Sequence, residues 1–136
     1  MTPRIFRIIL PVSDLDRAAG FYSAVLGSPG MRVSPGRHYF DCGGVILACF
    51  DPRADGDDYT PTPLSEWVYF AVADVEATYQ ACRRAGATPA PGEVHGDPAG
   101  QIARRPWGER SFYVHDPFGN KLCFVDQATL YTRPTS

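Results

Sequence analysis

Long apolar runs and an excess of basic residues are both missing from this sequence of 136 residues. No apolar stretch approaches the roughly 20 residues that cross a bilayer, so no membrane association is predicted. Lysine and arginine number 13 against 15 aspartate and glutamate, a formal net charge of −2. That balance gives no electrostatic reason to expect nucleic acid as a partner. The first residues, Met1 to Arg4, lack the apolar stretch of a secretory signal, and we therefore expect a cytoplasmic protein.

Cysteine is scarce, and its spacing excludes two common uses. The four cysteines are Cys42, Cys49, Cys82 and Cys123. None of them forms a C-x-x-C pair, and their spacing matches no zinc module. A disulfide framework is not expected for a chain of this length without an export signal. All four are predicted to be free thiols.

The composition and the first fifty residues are typical of a globular domain with both helix and strand. Hydrophobic residues make up 44% and charged residues 21% of the chain, enough apolar material for one core. The β-branched run from Ile5 to Val12 predicts a strand. Apolar residues then recur at helical spacing, with Asp14 placed to cap the helix and Gly27 to end it. Three shorter β-like runs follow at residues 31–33, 38–42 and 45–50.

The same order of elements returns in the second half of the chain. Residues 67–72 predict a strand, Asp74 caps a second helix that ends at Gly86, and strands follow at 111–115 and 121–125. A repeat in order carries more weight than a repeat in identity. We therefore predict an α+β fold of two βαβββ modules in one domain. The predicted parts are a first module at about 4–50, a linker at about 51–65, a second module at about 66–126 and a tail at 127–136.

The strings that open and close this repeat resemble a known superfamily. Leu10-Pro-Val-Ser-Asp-Leu-Asp-Arg-Ala opens the first module, and Pro106-Trp-Gly-Glu-Arg and Asp116-Pro-Phe-Gly-Asn120 close the second. Both are similar to the vicinal oxygen chelate superfamily (glyoxalase/bleomycin resistance protein/dioxygenase), and especially to its metal-free bleomycin-resistance-like members. The resemblance implies paired βαβββ modules in a cup-shaped mixed sheet, and a homodimer. Asp116, Gly119 and Asn120 are interpreted as turn residues.

The resemblance also implies where a metal would be held. Metal-dependent members place one ligand at an equivalent point in each of four strands, and the matching positions here carry Arg7, Leu47, Trp67 and Cys123. Arginine stays protonated, leucine has no donor atom and tryptophan offers only an N–H group. One cysteine alone does not make a metal site. We therefore predict no metal and no cofactor.

The same positions predict an apolar, aromatic pocket with one fixed positive charge. The period-2 alternation of strands would bring these side chains to the concave faces if the geometry of the family holds. The predicted ligand-binding residues are Arg7, Tyr39, Leu47, Trp67, Tyr69, Trp107, Tyr113 and Cys123. Such a lining suits a small aromatic or amphipathic molecule. No catalytic residue is predicted, and Arg104 and Arg105 are interpreted as a solvent-exposed pair.

Three functions remain open at this point. The leading hypothesis is a metal-free binding protein for a small aromatic or amphipathic molecule, with antibiotic sequestration as one form. The second is a metal-dependent lyase, isomerase or dioxygenase that uses non-standard ligands such as His38, His115 and carboxylates. The third is a domain without a small-molecule function, in which Trp67 fills the former metal position against Leu47 and Cys123.

Overall fold

The computed structural model of the protein describes residues 1–131, and the chain forms two compact units. The first unit holds residues 1–64 together with 117–120, and the second begins at residue 65 and holds the remainder. Each unit has one α-helix and its own main sheet. The last five residues of the predicted tail, 132–136, lie outside the described part of the chain.

The first unit contains a four-stranded mixed sheet and one helix. Its strands are ordered β1-β4-β3-β2, with β1 parallel to β4 and the other neighbours antiparallel. Its elements are β1 (Arg7–Pro11), α1 (Leu15–Leu26), β2 (Met31–Ser34), β3 (Arg37–Cys42), β4 (Val45–Phe50) and a 3-10 turn (Arg53–Asp55).

The local sequence explains where α1 begins and ends. The Asp14 carboxylate accepts a hydrogen bond from the backbone N–H of Arg17 at 3.1 Å, which satisfies one of the unpaired donors of the first turn. Gly27 ends the helix at a φ of 70°, a left-handed conformation that favours glycine. The buried stripe of α1 includes Tyr22, whose ring lies 6.1 Å from that of Phe40 on β3. This contact identifies the helix side of the first sheet.

The second unit repeats this plan and adds short strands. The path of its sheet is β5-β11-β10-β6, with β5 parallel to β11 and with β9 also paired to β10, while β7 and β8 form a separate hairpin. Its elements are β5 (Val68–Val72), α2 (Val75–Ala85), β6 (Thr88–Pro89), β7 (Glu93–Val94), β8 (Asp97–Pro98), β9 (Ala103–Arg104), β10 (Arg110–His115), β11 (Lys121–Asp126) and a 3-10 turn (Gln127–Thr129).

The helix of the second unit is bounded in the same way. Asp74 accepts a hydrogen bond from the backbone N–H of Ala77 at 3.0 Å, and Gly86 ends α2 at a φ of 97°. The ring of Tyr79 on α2 lies 5.2 Å from Phe112 of β10, in an edge-to-face arrangement. Phe112 therefore marks the helix side of the second sheet.

The two units confirm the predicted α+β fold with two βαβββ modules. Both main sheets have their first strand beside and parallel to their last strand. Between α2 and β10, the segment 87–101 contains β6 and the β7–β8 hairpin. None of the four cysteines forms a disulfide within residues 1–131, as predicted. No helix within residues 1–131 is long and apolar enough to cross a membrane.

Candidate functional site

The face of the first sheet opposite α1 brings together two of the predicted ligand-binding residues. Arg7 of β1 is paired with Ile46 of β4, and Tyr39 of β3 is paired with Ala48 of β4. Ile46 and Ala48 are two residues apart on one strand and therefore share a face, so the side chains of Arg7 and Tyr39 point to the same side of the sheet. The guanidinium of Arg7 lies 5.2 Å from the centre of the Tyr39 ring. Arg7 is exposed and Tyr39 is half-buried, so a cation and an aromatic ring are both presented on this face.

Leu47 does not share this face, and its predicted placement beside Arg7 is wrong. It is paired with Phe40, which contacts Tyr22 of α1, and it is only 2% exposed. Leu47 therefore belongs to the core between the first sheet and its helix.

The error is a one-residue slip in the alignment of the two modules. Asp14 and Asp74 cap equivalent helices, which makes Ile9 the equivalent of Tyr69. Ile9 is paired with Ala48, and Tyr69 is paired with Cys123. The equivalent of Cys123 is thus Ala48 and not Leu47. A shift of one residue reverses the face of a strand, because side chains alternate with period 2.

A cavity lies on the same face of the first unit, and the sequence did not indicate it. Its volume is about 380 Å³, within the usual range for small-molecule pockets. Its charged wall is Arg37, whose guanidinium lies 4.4 Å from the centre of the Phe50 ring and 3.6 Å from the Asp55 carboxylate. The lining residues are Ile9, Pro11, Arg37, Phe50, Pro52, Tyr59, Thr60, Pro61 and Thr62. Five of them, Pro52 and residues 59–62, belong to the predicted linker, whose composition indicated only a loop.

The second unit brings four predicted residues together on the side of its sheet opposite α2. Cys123 is paired with Tyr69 on one side and with Tyr113 on the other. The ring of Tyr113 lies 4.9 Å from that of Trp67 and 6.1 Å from that of Tyr69, both edge to face. Tyr69 is 56% exposed, whereas Tyr113 and Cys123 are buried. We call Trp67, Tyr69 and Tyr113 the aromatic cluster.

The inner part of the aromatic cluster is covered by the segment between β6 and β9. Ala90 and Ala99 form a buried core with Tyr113, Cys123 and Val125, and Trp67 packs against it while half-buried. Burial raises the pKa of the Cys123 thiol to about 12. Burial likewise raises the pKa of Tyr113 above its usual range, with a further contribution from hydrogen bonding to Tyr69. Both groups are neutral at neutral pH, so Cys123 is not an activated nucleophile.

Trp107 has a different environment from that of the aromatic cluster. Its ring is 44% exposed and lies 6.0 Å from the ring of His95. Its indole N–H donates a hydrogen bond to the Glu109 carboxylate at 3.0 Å. The structure therefore places Trp107 in a turn beside His95, and its role in binding stays a prediction.

Arg105 is a candidate site residue that the sequence reasoning missed. The interpretation as a solvent-exposed pair holds for Arg104 but is wrong for Arg105, which is 2% exposed. Its guanidinium lies 5.3 Å from the centre of the Tyr113 ring. The turn that follows closes back on it, with the Arg105 backbone N–H donating to the carbonyl of Glu109 at 2.7 Å. No periodicity in this Pro- and Gly-rich segment indicated that burial.

The positions that the resemblance assigns to metal ligands do not fit a metal. Arg7 and Ala48 in the first unit offer no lone pair suited to ligation, and neither does the Trp67 indole in the second unit. The Cys123 thiol is held protonated by burial. Within residues 1–131, no group of three or more His, Cys, Asp or Glu side chains is arranged to hold a metal ion.

The two histidines considered as non-standard ligands have other neighbours. His38 hydrogen-bonds with the carbonyl of Pro29 at 2.9 Å, and its Nδ1 accepts from Arg32 at 3.3 Å. The ring of His115 lies 5.8 Å from that of Trp67. Within residues 1–131, neither histidine belongs to a group of three or more His, Cys, Asp or Glu side chains that could hold a metal ion.

Comparisons with known proteins agree with this fold. The family model described as Glyoxalase/Bleomycin resistance protein/Dioxygenase superfamily matches residues 4–124. No curated protein matches the chain. Solved structures similar to it include a glyoxalase/bleomycin resistance protein from Albidiferax ferrireducens T118, with 22% identity, a TM-score of 0.72, and coverage of 90% of this chain and 97% of that one.

Two further solved structures carry the names of enzymes. A glyoxalase-related enzyme from Fulvimarina pelagi is 20% identical, with a TM-score of 0.72 over 92% of this chain and 88% of its own. A lactoylglutathione lyase from Agrobacterium tumefaciens is 23% identical, with a TM-score of 0.63 over 94% of this chain and 96% of its own. At these identities the likeness concerns the fold alone.

Proposed function

The chain belongs to the glyoxalase/bleomycin resistance protein/dioxygenase superfamily, and on that premise we propose that it binds a small aromatic or amphipathic molecule without a metal. Sequestration of an antibiotic is one form that this binding would take. The observation that carries the proposal is the aromatic cluster on the side of the second sheet opposite α2. A homodimer in the cytoplasm is part of the proposal and rests on the resemblance.

The geometry of the cluster suits a flat ligand. Tyr113 is buried in the core, and Trp67 and Tyr69 both contact its ring edge to face. Tyr69 is more than half exposed, so its ring offers apolar surface and its hydroxyl a hydrogen bond. An aromatic pair contributes about 0.5–1.5 kcal/mol beyond the burial of its area. The Lys121 ammonium, 5.6 Å from the centre of the Trp67 ring, adds a positive charge beside the cluster.

The first unit supports the same kind of ligand on its own sheet. Arg7 with Tyr39, and Arg37 with Phe50, place two cation and ring pairs on the face that also carries the cavity of about 380 Å³. Both units thus present aromatic rings beside cationic side chains on the side of the sheet away from the helix. Neither face offers an activated nucleophile or a metal-binding donor set, which favours binding over catalysis.

The proposal is tested by binding of 2-naphthol, a neutral aromatic probe, followed by the fluorescence of Trp67 in a Trp107→Phe background. We expect saturable quenching, and Tyr69→Ala should weaken the affinity by about threefold to tenfold, because it removes one aromatic contact. Tyr131→Ala is the matched control, since Tyr131 is also an exposed tyrosine of the second unit. Equal affinities for wild type, Tyr69→Ala and Tyr131→Ala would refute binding at the aromatic cluster.

A further inference from the structure

No salt bridge within residues 1–131 involves the positive charge of Arg105. Its side chain is buried at 2% exposure. The ion pairs of residues 1–131 use the guanidinium groups of other arginines, Arg32, Arg37, Arg53 and Arg110. Arginine is almost never fully buried without a partner charge, because removing the cation from water is costly. A buried and unneutralised guanidinium therefore needs an explanation.

The hydrogen bonds of this guanidinium are incomplete on one side. Its Nη2 donates to the carbonyl groups of Ala99, Gln101 and Ser111 at 3.3, 2.9 and 3.0 Å, and its Nε donates to the Ser111 hydroxyl at 3.3 Å. Its Nη1 is buried and has no hydrogen-bond partner among residues 1–131. Two N–H donors of a charged group are thus left unpaired.

The carboxylate closest along the chain is already engaged elsewhere. One oxygen of Glu109 accepts from the Trp107 indole at 3.0 Å, and the other accepts from the backbone N–H of Tyr131 at 2.9 Å. The hydrogen bond between Arg105 and Glu109 runs from the Arg105 backbone N–H to the Glu109 carbonyl and does not involve the carboxylate. A rotation of Glu109 toward Arg105 would sacrifice both of these hydrogen bonds.

The guanidinium belongs to the surroundings of the aromatic cluster. It lies 5.3 Å from the centre of the Tyr113 ring. Its charge acts to lower the pKa of the Cys123 thiol, although burial outweighs this effect. Hydrogen bonds from Ser111 and Tyr113 to the same thiol act in the same direction. Arg105, Ser111, Cys123 and Tyr113 therefore form one connected polar group behind the rings.

We infer that Nη1 of Arg105 binds an anionic oxygen group of the ligand, a carboxylate or a phosphate, so that the molecule held at the aromatic cluster is an aromatic acid. This inference rests on the proposed function and specifies its ligand class. The anion supplies both the counter-charge and the missing acceptors, and charge-assisted hydrogen bonds of this kind are stronger than neutral ones. Because Nη1 is buried, the acid reaches it only if the residues that cover it shift locally.

The experiment is an NMR titration of the complete chain with three probes: benzoate, phenyl phosphate and benzyl alcohol. The resonances followed are the Arg105 Nε–H, assigned by its loss in Arg105→Lys, and the Trp67 indole N–H. We expect one of the two anions to bind about tenfold to a hundredfold more tightly than benzyl alcohol and to shift both resonances. The anion with the greater affinity identifies the group as carboxylate or phosphate.

The variants test whether Arg105 causes this preference. Arg105→Lys keeps the charge but loses the planar fork, and we expect it to lose most of the preference for the anion over benzyl alcohol. Arg104→Lys is the matched control, because Arg104 is an exposed neighbour that donates to the carbonyl of Gly108. A wild-type preference for the anion in Arg105→Lys would overturn the inference, and so would an equal loss in both variants.

The outcomes separate this inference from the proposed function. If all three probes bind with equal affinity and shift Trp67 but not Arg105, the inference is refuted and binding at the aromatic cluster stands. If an anion shifts the Arg105 resonance without shifting that of Trp67, Arg105 binds anions, but the inference that the same molecule occupies the aromatic cluster is refuted. If no probe shifts either resonance, both are refuted. The wild-type titration decides these cases even if Arg105→Lys fails to fold.

Discussion

Asn120, the last residue of the turn at residues 116–120, is expected to stabilise the first unit through two hydrogen bonds of its side chain. It is fully buried at 0% exposure. Its side-chain carbonyl accepts from the backbone N–H of Leu64 at 2.8 Å, and its amide donates to the carbonyl of Pro11 at 2.7 Å. Asn120→Ala removes both hydrogen bonds and leaves two backbone groups without these partners. A buried group left in this way costs about 1–3 kcal/mol.

The expected loss follows from the burial of the two backbone groups. Leu64 and Pro11 are only half-buried, so water partly replaces the lost amide, and the total is about 2–4 kcal/mol. For a chain of this size, that loss lowers the Tm by about 6–16 °C. Urea unfolding followed by circular dichroism measures it, with Gln127→Ala as the control because Gln127 is exposed. A loss below about 0.5 kcal/mol for Asn120→Ala, like that of an ordinary surface change, would refute the reasoning.

Three further predictions concern the core and the titrating groups. Leu47→Ala should lose about 2–5 kcal/mol in urea unfolding without weakening the binding of 2-naphthol; weaker binding at unchanged stability would contradict its place in the core. Arg110 holds the pKa of Glu76 below its usual range, so the pair stabilises the fold above about pH 4.3 and this part is lost as the pH falls through the lower folded value. As the pH falls from about 5 to about 3, around the ordinary carboxyl pKa, Glu76→Gln should therefore lose less stability than wild type. An equal loss of unfolding free energy in both proteins would contradict the pairing. Burial raises the pKa of Cys82 to about 12, so the stability that it contributes is full below about pH 8.5 and declines as the pH rises toward the folded value. Urea unfolding of Cys82→Ala should show a smaller alkaline decline, and an unchanged decline would exclude this thiol as its cause.

Local patterns in the sequence were sufficient to predict the helices and the repeat. Each helix has an Asp cap and a Gly end, and both residues act within a single turn of chain. The order of strands and helices was readable twice, and it led to the correct fold class and superfamily. The lack of disulfides among the four cysteines followed from their spacing and the length of the chain.

The composition of the aromatic cluster was also predictable, because it depends on alternation along single strands. Trp67 and Tyr69 are two residues apart on the chain, and so are Tyr113 and Ser111 on β10. Residues separated by two share a face of a strand. What remained open was how strongly each ring is covered, which depends on a segment distant in the sequence. Tyr113 is buried under residues 90–99, while Tyr69 remains exposed.

Register and burial were decided by the tertiary structure. Leu47 and Ala48 are both apolar residues of one strand, and only the pairing of β4 with β1 and β3 shows which of them faces α1. Arg105 has the charge typical of a surface residue, and its burial results from carbonyl groups at Ala99, Gln101 and Ser111 that converge on it.

The sequence by itself therefore determined the elements, their order and the family, since these depend on capping, turn residues and periodicity within about 15 neighbouring residues. The tertiary structure alone decided the strand register, the burial of Arg105, the cavity beside Phe50 and the role of Asn120. Each of these depends on groups brought together from separate parts of the chain, such as Asn120 and Pro11. No local pattern encodes such contacts, because the free energy that selects them arises only when the core packs.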